Sequence, residues 1–288
     1  MLTQDDNFQG ADDGLIYPIV GEWALEKHKK IGYYASIFSD SMRNKWNCRL
    51  YIDLFAGAGA AKIKGTEKRI DGSPLMVLGL DVPFDKYVFC EEDPELYAAL
   101  KQRILKRYPD VNASVLNIDC NTHTDTILKA LPVFNRTYKG LAFCFVDPFK
   151  TKNLSFNTLR KLSNAIYVDF VVLLPSHMDI HRNEMHYVRD DCQILDDLLG
   201  EKNWRQDWAS GKSRIKEFGL FIADRFGQQM KSIGYLYDGT QDFATIRMNG
   251  EDAGLYLYHL CFFSKHQLGQ QFWRNTLKGT TNQMTLGL

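Results

Sequence analysis

The stretch Arg49-Leu-Tyr-Ile-Asp-Leu-Phe-Ala-Gly-Ala-Gly59 decides the fold. Its apolar run, Leu50 to Leu54, is interrupted only by Asp53 and then broken by Gly57 and Gly59. Such a run reads as a buried parallel strand entering a tight glycine turn, with a helix or covering loop beyond. Open α/β sheets bind ligands just past the carboxyl ends of their strands, so this turn is the first candidate site.

Upstream, residues 1–20 read as a loose tail. A helix is expected from Glu22 to about Arg43, with Ile31, Tyr34, Ala35, Phe38 and Met42 on one face. Downstream, residues 60–73 are too polar for a core and read as a loop at the strand's carboxyl edge. Strands follow at Lys86–Cys90, Ala113–Ile118, Leu141–Val146 and Asp169–Leu174. Helices alternate with them at 74–80, Pro94–Tyr108 (buried stripe Leu96, Leu100, Ile104 and Leu105), 122–131 and Ser155–Leu162. The alternation predicts an α/β fold with a doubly wound, mostly parallel sheet.

Residues 175–212 break the rhythm with a charged, His- and Trp-containing stretch that reads as an inserted helical lid. Ser213–Ile233 is again helical, and Phe243–Met248 with Leu255–Phe263 reads as an antiparallel hairpin, giving seven strands. The expected organisation is a tail and helix, 1–45, packed on one domain, 46–288. Five parallel strands completed by a late hairpin are the Rossmann-like architecture of class I S-adenosylmethionine-dependent methyltransferases. A plain dinucleotide-binding domain would add a sixth parallel strand instead.

Composition sets the outer bounds. The 288 residues are 45% hydrophobic and 24% charged, with zero formal net charge, so no global charge draws the chain to nucleic acid or membrane. No apolar run approaches the roughly 20 residues that span a bilayer. The acidic, polar start is unlike a secretory signal, and a cytoplasmic protein is expected. Six cysteines without C-x-x-C spacing, several inside apolar runs, read as buried thiols rather than disulfides or a metal cage.

The glycine turn departs from two familiar patterns. A dinucleotide fingerprint needs G-x-G-x-x-G/A, yet the third position is Lys62. The next strand-end acid, Glu91, lies 34 residues past Gly57 (91 − 57), against roughly 20 in that pattern. No G-K-S/T follows either, so a phosphate loop is excluded. Asp53, Phe55, Gly57 and Gly59 instead form D-x-F-x-G-x-G, whose exposed N–H groups suit the carboxylate of S-adenosylmethionine while Asp53 answers its amino group. The alternative is a purely structural turn over a buried, hydrogen-bonded Asp53. Glu91 stands where an acid accepts from two ribose hydroxyls, and Asp119 where a side chain meets the adenine amino group. Taken singly, each acid reads equally as a helix N-cap, as Asp93 before Pro94 does.

Asp147-Pro-Phe-Lys150 resembles the D/N-P-P-Y/F/W element of amino-group methyltransferases, with one proline and the aromatic one place early. Asp147 and Phe149 are the candidate acceptor-facing pair; otherwise Asp147 caps the next helix. His177, His181 and His186 with Glu184 invite a metal reading, but H-E-x-x-H is absent and the segment reads as a surface insertion, so no metal is expected. Lys62, Lys64, Lys68 and Arg69 either line the mouth of the site and attract phosphate or form a solvated loop.

With these residues in hand, the chain resembles the three-Cys-motif partner family (TcmP). The resemblance rests on Gly21-Glu-Trp23 with Lys27, Tyr51-Ile-Asp-Leu-Phe-Ala-Gly57, Gly72-Ser-Pro-Leu75, Glu91-Glu-Asp-Pro94, Val146-Asp-Pro-Phe149 and Tyr258-His-Leu-Cys-Phe-Phe-Ser-Lys-His266. It departs at Ala58, where the family tends to have proline, and at Lys150, where glycine is usual. The resemblance implies a methyltransferase-like fold, bound S-adenosylmethionine and a partner protein with a three-cysteine motif like that of radical S-adenosylmethionine enzymes. Bacterial or phage nucleic-acid metabolism is the setting it suggests. Lys265, in Ser264-Lys-His266, is a catalytic or partner-facing candidate. Two other readings stand beside methyl transfer: a non-catalytic, partner-recruiting module, and a metal-dependent nucleic-acid enzyme.

Overall fold

The computed structural model describes residues 12–247 and 256–285. The fold is α/β, with a seven-stranded mixed sheet and a separate three-stranded sheet. The chain divides into two compact units, Met1–Phe145 with Phe272–Leu288, and Val146–Gln271.

In chain order the first unit contains β1 (Ile19–Val20), α1 (Trp23–Met42), β2 (Cys48–Asp53), β3 (Ala60–Ile63), β4 (Arg69–Asp71) and α2 (Ser73–Leu78). It continues through β5 (Lys86–Glu91), α3 (Pro94–Arg107), β6 (Ala113–Asn117), α4 (Thr124–Lys129) and β7 (Gly140–Val146). β2 is flanked by β5 and β7 in parallel register, with Asp53 opposite Phe89 on one side and Phe145 on the other; β6 pairs parallel with β5. Every residue of β2 is buried, as expected of a central parallel strand covered on both faces. The helix face read from the sequence is the one that packs: Tyr34 lies 4.9 Å from Phe143 and 5.9 Å from Trp273, ring centre to centre. Of the expected α3 stripe, Leu100 and Ile104 are buried but Leu105 is exposed, and Arg103 takes the inward position.

Two expectations about this unit change. Residues 60–73 are not a loop: Ala60–Lys62 pair antiparallel with Arg69–Asp71, and β1 adds a parallel strand beside β3. The reason is alternation. Ala61, Ile63 and Ile70 turn inward against Ala24, with Val20 and Leu25 around them, while the charges between them point out. Residues 12–20 are consequently not a loose tail, since β1 and the acids before it are docked; residues 1–11 lie outside the described residues.

The second unit contains α5 (Phe156–Ala165), β8 (Tyr167–Leu174), α6 (Glu184–Tyr187), α7 (Ile194–Leu199), α8 (Trp204–Ala209), α9 (Phe218–Ser232), β9 (Ala244–Arg247) and β10 (Tyr256–Phe263). The final helix, α10 (Gln267–Thr285), returns to the first unit from Phe272 on. β10 runs antiparallel to both β8 and β9, which is the expected hairpin; its connection, with Met248 and Leu255, lies outside the described residues. Residues 175–212 are helical as read, but they carry a core rather than a solvated face. Leu195, Leu198, Leu199 and Trp204 are buried, and the Trp204 ring N–H donates to Asp196 at 2.8 Å. All six cysteines are free and buried. No helix among the described residues is long and apolar enough to cross a membrane.

Candidate cofactor site

The glycine turn is tied down on every side. Leu54 N–H donates to the Phe145 carbonyl at 3.1 Å and Ala56 N–H to the Cys90 carbonyl at 2.8 Å, fixing the turn to both flanking strands. Gly57 and Gly59 both hold positive φ, +61° and +79°, which side-chain-bearing residues adopt only with strain. Their surroundings differ. A Cβ on Gly59 would lie 2.8 Å from Leu100 Cδ1, whereas one on Gly57 would meet nothing within 4 Å. Gly59 is therefore needed for packing and Gly57 for conformation alone, with open space beside it.

Asp53 is fully buried. Its carboxylate accepts from the Ser73 hydroxyl at 2.6 Å, from Phe55 N–H at 3.2 Å and from the Tyr51 hydroxyl at 3.3 Å. It shapes the turn from below, while Phe55 and Gly57 are the partly exposed positions between Asp53 and Gly59. Ser73 starts α2 directly after Gly72, whose N–H donates to the Gly59 carbonyl at 2.7 Å, so the small sheet leads the chain back beneath the turn it left.

Glu91 closes the other side. One carboxylate oxygen accepts from Gly57 N–H at 2.8 Å and the other from Asp93 N–H at 2.9 Å. The Gly57 N–H expected to face a ligand carboxylate is thus engaged by Glu91. Burial pushes the Glu91 carboxyl above its usual range, against the pull of the two backbone N–H groups. Asp93 caps α3 by accepting from Glu95 and Leu96 N–H, as Pro94 behind it suggested. Asp119, two residues past β6, accepts from Asn121 N–H at 2.8 Å and the Thr122 hydroxyl at 3.1 Å, ordering the turn into α4. The structure thus brings Asp53, Phe55, Gly57, Gly59 and Glu91 together, with Asp119 at the end of the strand next to β5.

Arg103 is the buried side chain beside this turn that sequence reasoning missed. It is 3% exposed, and its guanidinium grips the Asp13 carboxylate at 2.8 and 3.0 Å and the carbonyls of Ile16 at 3.1 Å and Ala58 at 2.7 Å. Tyr17 stacks on the same guanidinium, 4.3 Å from its ring centre. One arginine therefore clamps the segment before β1 to the glycine turn. The signal was present: Arg103 lies three residues past Leu100, on the inward stripe of α3. Of the basic residues proposed for the mouth, Lys62 pairs with Glu67 at 2.7 Å and Arg69 with Asp12 at 2.8 Å.

Burial raises the Asp13 carboxyl, but the hydrogen bonds from Arg103 and Tyr17 outweigh it and hold the pKa at about 2, against an ordinary 3.8. A depressed carboxylate pKa stabilises the fold above its unfolded value, and that contribution disappears as pH falls through the folded one. Docking of residues 12–20 is therefore expected to hold above about pH 4 and to fail toward pH 2. The Arg103 Nε–H resonance should lose its exchange protection across that window; protection persisting below it would show that Asp13 is not the anchor.

The remaining candidates lie in the second unit. Asp147 is partly buried, and Phe149 is 88% exposed at the end of β7. Thr151, just beyond, donates its N–H and hydroxyl to Asp179, past the end of β8, at 3.2 and 2.5 Å. Lys265 is at the other end of that strand. Because β10 runs antiparallel, with Phe263 opposite Phe170, Lys265 reaches back past the start of β8, where its ammonium donates to the Ser163 carbonyl at 3.2 Å. A strand of eight residues separates the two ends by roughly 20 Å. Lys265 thus lies apart from Asp147 and Phe149, at the opposite end of β8. The histidine segment also sorts differently: Glu184 accepts from the Trp208 ring N–H, His186 lies 3.7 Å from the Cys192 thiol, and His177 stacks on His181.

No protein-family model matches the chain, and neither does any curated protein sequence. Among solved structures the chain is similar to Trm1 from Pyrococcus horikoshii in complex with S-adenosyl-L-methionine, with 10% identity, coverage of 91% of this chain and 60% of that one, and a TM-score of 0.42. It is similar to magnesium protoporphyrin IX methyltransferase (ChlM) from Synechocystis with bound SAH, with 8% identity, coverage of 84% of each chain and a TM-score of 0.41. It is also similar to protein LPL1258 from Legionella pneumophila, with 15% identity, coverage of 61% and 75%, and a TM-score of 0.40. At these identities and scores the likenesses assign this chain neither an activity nor a ligand.

Proposed function

We propose that this chain is an S-adenosylmethionine-dependent methyltransferase with the doubly wound, class I form of the Rossmann-like fold. The observation that carries the reading is the junction of Glu91 with the glycine turn at the carboxyl end of β2. From β2 the chain moves outward through β5 to β6, then returns to β7 on the other side of β2. The β2–β7 boundary is therefore a topological switch point, where open sheets hold their ligands. The strand order, with β10 reversed between β8 and β9, supports the class I arrangement over a plain dinucleotide fold.

The residues fit the cofactor part by part. Open space beside Gly57 leaves room for the methionine portion next to Phe55. Each Glu91 oxygen accepts one backbone N–H; since a carboxylate offers about four lone-pair sites, one per oxygen remains for each ribose hydroxyl. Asp119 is assigned to the adenine amino group. Asp53, closed off by Ser73 and Tyr51, serves the site by holding the turn in shape. When bound, S-adenosylmethionine supplies a methyl group on a positively charged sulfur. Asp147 is assigned to accept a hydrogen bond from the target nitrogen and Phe149 to stack on its ring, which suits an amino group of a nucleic acid or nucleotide. The resemblance to the TcmP family supports a three-cysteine-motif protein as the working partner.

Calorimetry with S-adenosylhomocysteine tests this. Glu91→Ala should weaken binding about 100-fold, equivalent to about 3 kcal/mol, through loss of two hydrogen bonds to a charged acceptor. Asp147→Ala should leave cofactor affinity unchanged and remove methyl transfer. Wild-type protein giving no heat with either cofactor or product would end the reading.

A further inference from the structure

The second unit brings together three side chains that the sequence keeps well apart. His177 and His181 lie on a π-helical turn, Ser176–His181, and Glu217 is the residue that caps α9. We propose that His177, His181 and Glu217 form a binding site for one divalent first-row transition-metal ion, independent of the cofactor turn. One donor atom from each lies within 4.8 Å of the other two.

Three features separate this group from a chance cluster. First, the Nδ1 atoms of both rings are buried and make no hydrogen bond among the described residues, His181 Nδ1 lying 3.3 Å from the Glu217 carboxylate. Second, the rings are stacked, with centroids 5.1 Å apart and planes at 18°, which holds the two imidazoles side by side. Third, the carboxylate is already oriented, because Glu217 accepts from Gly219 and Leu220 N–H at 2.8 and 2.7 Å and is hydrogen-bonded by the Tyr256 hydroxyl. Such outer contacts are the support that metal ligands need.

One donor spacing suits a bridging cation. Ligand bonds of about 2.0–2.2 Å around a tetrahedral ion hold donor atoms roughly 3.3–3.5 Å apart. His181 Nδ1 and Glu217 Oε1 are 3.3 Å apart, which fits that spacing and is long for a charged hydrogen bond. Two imidazoles and one carboxylate suit zinc, cobalt or iron and leave coordination positions open, whereas magnesium and calcium prefer all-oxygen sites. His259, on β10, is not part of the set: its Nδ1 is engaged by the Ser176 hydroxyl at 2.7 Å. The sequence had paired these histidines with Glu184; the acid that reaches them is Glu217.

The test is calorimetric titration of the chelator-treated full chain with zinc. One equivalent should bind, His177→Ala and His181→Ala should each abolish uptake, and Tyr256→Phe should weaken it about tenfold. Far-UV dichroism checks that the variants are folded. Cobalt substitution of the wild type supplies a readout that needs no variant: weak visible bands without thiolate charge transfer are expected. Absence of stoichiometric uptake, uptake unchanged in the His177→Ala/His181→Ala double variant, or a thiolate spectrum would each overturn the proposal.

Discussion

Arg103→Met will lower unfolding stability by about 3 kcal/mol and will free the glycine turn. The methionine keeps most of the aliphatic volume but donates no hydrogen bonds. Asp13 loses both of its contacts with the guanidinium, and the carbonyls of Ile16 and Ala58 lose their donor. Removing one member of a buried, hydrogen-bonded charge pair costs about 3–5 kcal/mol, and the partly exposed Asp13 places this case at the lower end. Urea unfolding gives the stability change. Hydrogen exchange should show faster opening of both residues 12–20 and the turn. A drop in stability with exchange at the turn unchanged would separate the two and contradict the clamp.

The second large effect is a contrast between two glycines two residues apart. Gly59→Ala is expected to cost about 3 kcal/mol, combining left-handed backbone strain of about 1–2 kcal/mol with overpacking against Leu100. Gly57→Ala carries the strain alone, about 1 kcal/mol, because its Cβ enters open space. If that space receives the cofactor, the milder substitution will be the more damaging to S-adenosylhomocysteine binding. Thermal unfolding ranks the stabilities and calorimetry the affinities. Equal stability losses, or full affinity in Gly57→Ala, would refute the assignment of one glycine to packing and the other to the ligand.

What was legible in the chain follows the range of the forces involved. Buried parallel strands advertise themselves as apolar runs, and α1 advertises its inward face by spacing, because both patterns are local. The turn at Gly57 and Gly59 and the acid at Glu91 were legible for the same reason, each sitting where an apolar run stops. The small sheet was not, because Ala61, Ile63 and Ile70 are too few and too spread among lysines for alternation to stand out. Arg103 and Glu217 escaped for a different reason. Each acts on residues far away in sequence, and a charged side chain in a helix or at its start gives no local sign of what it will reach. Glu184 was the nearer acid to the histidines along the chain, and proximity along the chain proved a poor guide.

The Arg103 clamp also bears on the order in which this protein can assemble. Asp13 and Arg103 are separated by 90 positions, and β1 has no strand to join until β3 exists. During synthesis the segment around Asp13 is therefore made long before the arginine that holds it. Contacts of such long separation form late, after local helices and neighbouring strands have reduced the chain entropy that opposes them. The turn after β2 can take its outline as soon as β2 and β5 pair, but its final set depends on α3 capturing Asp13 and Ile16. In this fold the closing knot is tied with a length of thread laid down long before its partner.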